Sequence, residues 1–224
     1  MAELYLVRHG QASFGTENYD RLSALGEQQG VWLGEYFARQ DIVFDRVFCG
    51  TLNRHAQTVD AILRGMGRQD VRYDRHPGLN EYDFDGLFAA AGHDYPEIVQ
   101  LAAGSMKAHF RALRQVLTLW SEDRLRGPVP ETWAQFQRRV ADARAAIRQS
   151  GGQRVLAVSS GGPIAVTLQQ VLAAPAASAI ALNLQIRNSA ISQYFFNADA
   201  FHLASFNGIP HLEDAERRTF KTYG

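Results

Sequence analysis

The chain has 224 residues, 46% hydrophobic and 21% charged, which is long enough for one large or two small domains with a core that needs no disulfide or metal to fold. Its 23 basic residues cancel its 23 acidic ones, excluding the global positive field of a protein that binds nucleic acid or anionic membrane over its whole surface. All the basic residues except Lys107 and Lys221 are arginine, and Cys49 is the only cysteine, so internal disulfides and cysteine-held zinc are excluded and a reducing compartment is expected.

Leu4–Val7 is a short, uninterrupted apolar run closed by Arg8 and Gly10, the pattern of a strand buried in a parallel or mixed sheet. The basic start and long apolar stretch of a signal peptide are missing at Met1-Ala2-Glu3. Leu25, Trp32, Leu33 and Tyr36 share one helical face over 25–38. Val43–Phe48 reads as a second strand, Leu52–Met66 as a second helix, and Val71–Tyr73 as a short third strand. From about 85 to 130 the pattern is a mostly helical excursion, with Leu101–Leu119 its clearest helix and Gly92, Pro96 and Gly104 as breaks. Thr132 and Gln135 match a capping box opening a helix whose stripe is Trp133, Phe136, Val140 and Ile147. Arg154–Val158 is another buried-type strand, Pro163 suits the first position of a helix running to about Leu172, and two last strands flank 197–200. Gln169, Gln170, Pro175 and Asn183 interrupt the apolar stretch Ala165–Ile186, so a membrane span is not expected. The expectation is a soluble, cytoplasmic protein.

Strands alternating with helices predict an α/β fold: a three-layer, mostly parallel sheet with helices on both faces and a helical cap insertion. In such sheets ligands bind beyond the carboxyl ends of the strands. Those ends carry Arg8-His9-Gly10, Gly50-Thr51-Leu52-Asn53-Arg54, Asn80-Glu81-Tyr82 and Ser159-Ser160-Gly161-Gly162-Pro163. Two arginine forks and a glycine-rich helix N-terminus suit phosphate or another small oxyanion. Neutral imidazole attacks phosphorus without first losing a proton, so His9 is the candidate nucleophile. Glu81, with a raised pKa, could protonate the leaving oxygen and later take a proton from water. No paired-histidine or cysteine spacing for a catalytic metal is present.

In this order the blocks resemble the histidine phosphatase superfamily, which includes the phosphoglycerate mutases, over nearly the whole chain. The resemblance is carried by Leu6-Val7-Arg8-His9-Gly10-Gln11-Ala12-Ser13, by Leu22–Gly26 with Gln29, by Arg54-His55-Ala56-Gln57-Thr58, by Asn80-Glu81, and by Ser205-Phe206-Asn207 with His211-Leu212. It implies one domain over 1–224 with a cap at about 85–130, His9 as the transiently phosphorylated nucleophile and Glu81 as proton donor. It also implies Arg8, Arg54, Ser160 and Gly161 around the phosphoryl group, a small phosphorylated substrate or phosphate ion as partner, and no metal or organic cofactor. One position departs from the family: Ser160 stands where a second histidine is expected. A shorter, neutral donor there predicts a slower phosphatase; the alternatives are a weak or inactive phospholigand-binding module and phosphoglycerate mutase-type transfer, for which no sealing tail follows. His55 directly follows Arg54, so a helix turns it about 100° away, and His93 and His109, in the cap, read as surface residues.

Overall fold

The computed structural model describes residues 1–13 and 20–223. β1 (Ala2–Arg8), β2 (Arg46–Cys49), β3 (Asp74–Arg75) and β4 (Arg154–Ser159) are mutually parallel, β5 (Ile191–Phe196) pairs antiparallel with β1, and β6 (Phe201–Gly208) pairs antiparallel with β5, in the order β3-β2-β4-β1-β5-β6. Side chains alternate across this sheet. Tyr5 and Val7 of β1 pack with Leu33 and Phe37 of α1 (Ala24–Arg39) and with Val59 and Ile62 of α2 (Asn53–Gly65). Leu4 and Leu6 face the other way. They pack with Ala143 and Ile147 of α6 (Trp133–Gln149), Ile164 of α7 (Gly161–Leu172) and Ala179 of α8 (Ala176–Asn183). Both faces are thus covered, the condition under which β1 and β4 can be almost wholly apolar.

Between β3 and β4 the chain leaves the sheet through α3 (Phe84–Asp94), α4 (Pro96–Ala102) and α5 (Met106–Ser121). Their core, with Leu87, Val116 and Trp120, is continuous with Phe136 of α6, Val166 of α7 and Ile180 of α8. The predicted helix over 101–119 is divided: α4 stops at Ala102, and Ser105 opens α5 by accepting from the Ala108 N–H at 3.3 Å. The predicted strand over 71–73 lies three residues later and is shorter, because β3 pairs only with Phe48 and Cys49 at the end of β2 and Pro77 then ends the run. α7 begins at Gly161, placing Pro163 third and leaving the Gly162 N–H available to an acceptor outside the helix. The helix α8 was not expected from the sequence. None of the helices among the described residues is long and apolar enough to cross a membrane.

Candidate active site

The parallel strands bring four loops to one edge. Arg8 is in register with Ser159 across β1 and β4, and Cys49 with Val158 across β2 and β4. Beyond those residues the His9 N–H donates to Ser159 O at 2.9 Å, and the Gly50 N–H donates to Val158 O at 3.1 Å. Ser159 Oγ in turn donates to Leu79 O at 2.7 Å, drawing in the segment that carries Glu81.

His9 is buried, and its ring has a defined tautomer. Nδ1 lies 2.7 Å from the Gly10 carbonyl, which can only accept, so the proton sits on Nδ1. Nε2 accepts from Arg54 Nε at 3.3 Å, and its lone pair therefore faces a cation. Burial first, then the charges of Arg54 and Arg8, hold the imidazole well below its usual pKa. A neutral His9 with a directed Nε2 lone pair follows from these contacts alone.

Arg54 lies in the first turn of α2, and its guanidinium is fixed by Asp20 Oδ1 at 3.0 Å. Asp20 also caps that helix from outside, accepting from the Asn53 N–H at 2.8 Å and the Arg54 N–H at 3.4 Å, where Leu52 offers no cap of its own. Arg8 is buried, donates to the Ile186 carbonyl, and lies near enough for its charge to act on both His9 and Glu81.

Glu81 faces the N-terminus of α7. The Gly162 N–H lies 3.1 and 3.3 Å from its two oxygens. Burial pushes its pKa up, against the opposing pull of Arg54, Arg8 and the backbone N–H groups. Its backbone is braced by Arg139 of α6, which donates to the carbonyls of Pro77, Asn80 and Glu81 at 3.3, 2.7 and 3.3 Å while pairing with Glu131 at 2.6 Å. The neighbouring Asn80 exchanges side-chain bonds with Thr51, accepting from its N–H at 2.7 Å and donating to its hydroxyl at 2.6 Å.

The six residues singled out in the sequence, Arg8, His9, Arg54, Glu81, Ser160 and Gly161, thus belong to one edge of the sheet. Ser160 is buried just before α7, and Gly161 is that helix's buried first residue. Asp20 and Arg139 were not anticipated; each acts across a long separation in sequence on a residue that was. His55 corrects the sequence reading. It does not turn away from the site: its ring centroid is 5.6 Å from that of His9, and its Nε2 is 2.7 Å from Ser160 Oγ. Because α2 points its N-terminus at this edge, adjacent residues of its first turn both reach it, Arg54 at His9 and His55 at Ser160. Burial, then the Arg54 charge, holds His55 well below its usual pKa. Of the cap histidines, His93 is exposed as expected and pairs with Asp94 at 3.0 Å. His109 is instead partly buried, stacked on Phe88 at 6.0 Å and tilted against Phe84 at 5.6 Å. Among the described residues no group of three His, Cys, Asp or Glu side chains is arranged to hold a metal ion.

The family model of the histidine phosphatase superfamily (branch 1) matches residues 4–208. A 2,3-bisphosphoglycerate-dependent phosphoglycerate mutase of Rhodopseudomonas palustris (strain BisB18) is 30% identical over 90 residues, 38% of this chain and 44% of the relative. The match therefore spans less than half the length of the curated relatives. Among solved structures, a phosphoserine phosphatase from Entamoeba histolytica in complex with 3-phosphoglyceric acid superposes with a TM-score of 0.65 at 20% identity, covering 95% of this chain and 100% of that one. A mycobacterial glucosyl-3-phosphoglycerate phosphatase with VO3 gives 0.65 at 22% identity, covering 93% and 100%. These likenesses establish a shared fold.

Proposed function

Because the chain belongs to the histidine phosphatase superfamily, we propose that it is a phosphomonoester hydrolase working through a phosphohistidine on His9. The observation that carries this reading is the state of His9: neutral, with its proton held on Nδ1 by Gly10 O and its Nε2 lone pair facing Arg54. A phosphoryl oxygen takes the place of Nε2 on the Arg54 fork, and the released lone pair then attacks phosphorus. The bond from phosphorus to the leaving oxygen breaks as the Nε2–phosphorus bond forms. Glu81, whose raised pKa keeps it protonated further toward neutrality than an ordinary carboxyl, gives its proton to that oxygen. In the second half water attacks phosphorus, Glu81 takes the water's proton, and Nε2 leaves with its electron pair restored. Atoms and charges balance with these side chains and water.

Arg8 and Arg54 carry the substrate's negative charge, and α3–α5 form the cap that selects the rest of the molecule. The substrate is read as a small phosphate ester, the class bound by the amoebal neighbour in complex with 3-phosphoglyceric acid. The mutase relatives favour a second reading in which the phosphoryl group returns to the same molecule. Incubation with a phosphoglycerate separates the two by product: inorganic phosphate for hydrolysis, an isomeric phosphoglycerate for transfer. The mechanism is tested by quenching the protein during turnover of a labelled phosphate ester and mapping the label. Label on His9 that is lost in His9→Ala is expected; label that persists unchanged in that variant refutes it.

A further inference from the structure

Ser160 stands where a second histidine is expected, yet the place beside it already holds an imidazole. His55 comes from a different element, the first turn of α2, and its Nε2 is 2.7 Å from Ser160 Oγ with both residues buried. The opposite ring nitrogen shows which way this bond runs. His55 Nδ1 has no hydrogen-bond partner among the described residues. It is pressed against Gly50, where a Cβ would come within 2.1 Å of it. A proton on Nδ1 would be a buried orphan donor, the costlier arrangement; a lone pair there is better tolerated. The proton therefore sits on Nε2, and Nε2–H donates to Ser160 Oγ. The serine then keeps its own hydroxyl proton to give elsewhere, and although Ser160 is the N-cap of α7 it spends nothing on a capping bond. Its position beside the nucleophile follows from the register, since His9 and Ser160 each come directly after the paired residues Arg8 and Ser159.

We propose that Ser160 and His55 form a donor relay for the transferring phosphoryl group: the Ser160 hydroxyl donates to a phosphoryl oxygen, and His55 holds and polarises that hydroxyl through Nε2–H. Ser160 is the catalytic residue of the pair and His55 the positioning one. The two together reach from two elements to supply the donor that one longer side chain would supply from one. This rests on the phosphoryl-transfer reading above. It also gives the serine substitution a consequence other than inactivity, because a neutral hydroxyl polarised by a buried imidazole is a stronger donor than one facing water.

Two measurements test the relay without requiring turnover. Ring ¹⁵N chemical shifts of the wild-type protein are expected to place the His55 proton on Nε2; a proton on Nδ1 overturns the proposal. Binding of orthovanadate, which mimics the five-coordinate phosphorus of transfer, is then compared with binding of inorganic phosphate. Ser160→Ala is expected to weaken vanadate by about 10²–10³-fold, the effect of losing one preorganised donor, and phosphate by much less. His55→Phe is expected to lose part of the same discrimination, His55→Gln to recover some of it through its amide donor, and His55→Phe with Ser160→Ala to fall no further than Ser160→Ala alone. Equal weakening of both anions, or fully additive losses in the double variant, overturns the relay. If these results hold while no label appears on His9, it is the hydrolase reading that fails.

Discussion

Gly162→Ala isolates the proposed proton donor from the rest of the site. The Gly162 N–H holds both Glu81 oxygens, at 3.1 and 3.3 Å. A Cβ on residue 162 would stand 2.2 Å from Glu81 Oε1 and 2.8 Å from two carbons of the Tyr82 ring. The aromatic ring is fixed in the cap core against Trp120 and Phe136, so the carboxyl must give way, by about 1 Å to regain van der Waals distance. A displacement of that size costs about 10²-fold in a positioned reaction, within the 10²–10⁴-fold range of a general acid. The loss must depend on the leaving group. An alkyl phosphate, whose alkoxide cannot leave unprotonated, is expected to lose about 10²-fold in kcat/KM; p-nitrophenyl phosphate, whose phenolate leaves readily, much less. Affinity for inorganic phosphate is expected to change only a few-fold, because Arg8, His9 and Arg54 are untouched. The gain of at most about 1 kcal/mol from removing a helical glycine is outweighed by crowding against the Tyr82 ring, which typically costs about 1–3 kcal/mol, and a thermal melt checks that the fold survives. An equal fall for both esters, with phosphate binding intact, would refute Glu81 as the donor.

Arg139→Met removes the brace behind Glu81. It is expected to cost about 1–3 kcal/mol in urea unfolding, from the charged bonds to the 77–81 carbonyls and Glu131, with an activity loss again concentrated in alkyl esters. In the pH–rate profile Glu81 must enter the reaction protonated, so kcat/KM is expected to fall as pH rises through its raised pKa. Glu81→Gln should remove that limb for one substrate and leave the limb set by the substrate's own ionisation. Stability is expected to fall in acid. His9, His55 and His211 are all held neutral by burial, His211 down to about 3, while the unfolded chain takes up their protons near pH 6.5. Their contribution is therefore complete above that pH and is lost progressively below it, by up to about 3 kcal/mol per pH unit after allowing for the opposing proton that Glu81 keeps in the folded state. Urea midpoints between pH 7 and pH 5 check this; a flat profile contradicts it.

The parts of this site that were legible in the sequence are those set by short-range signals. β1 and β4 read as strands from the uninterrupted apolar runs Leu4–Val7 and Val155–Val158, which the covered faces of the sheet account for. Thr132 and Gln135 gave away the start of α6, since a capping box is complete within four residues. The loops at the strand ends then follow from topology. What stayed hidden depends on contacts between segments distant in sequence. Asp20 reaches Arg54 and the α2 N-terminus, Arg139 reaches the Glu81 backbone, and His55 meets Ser160 only because the sheet order places β4 beside β2. The step of about 100° between Arg54 and His55 is general to an α-helix; whether both reach the site depends on the direction of the helix axis, which is a tertiary property. The same holds for β3, whose place is set by where β2 ends and not by the β propensity of Val71 and Tyr73.

Burial gives the zero net charge its meaning at this edge of the sheet. Removing His9 and Glu81 from water disfavours the charged form of each, so one lowers its pKa and the other raises it. On the proposed mechanism this one cause serves both roles, a neutral imidazole to attack and a carboxyl to give its proton, before any specific partner is counted. Arg54 and Arg8 reinforce the first shift and oppose the second, which bounds how far Glu81 can rise. A bound phosphoryl group changes that balance: its negative charge offsets the arginines and lies beside the carboxyl. The Glu81 pKa should therefore climb further on binding, and the proton it needs for the leaving oxygen is secured by the substrate itself. Net proton uptake on binding inorganic phosphate, after correction for the ligand's own ionisation and lost in Glu81→Gln, is the calorimetric signature expected from that coupling.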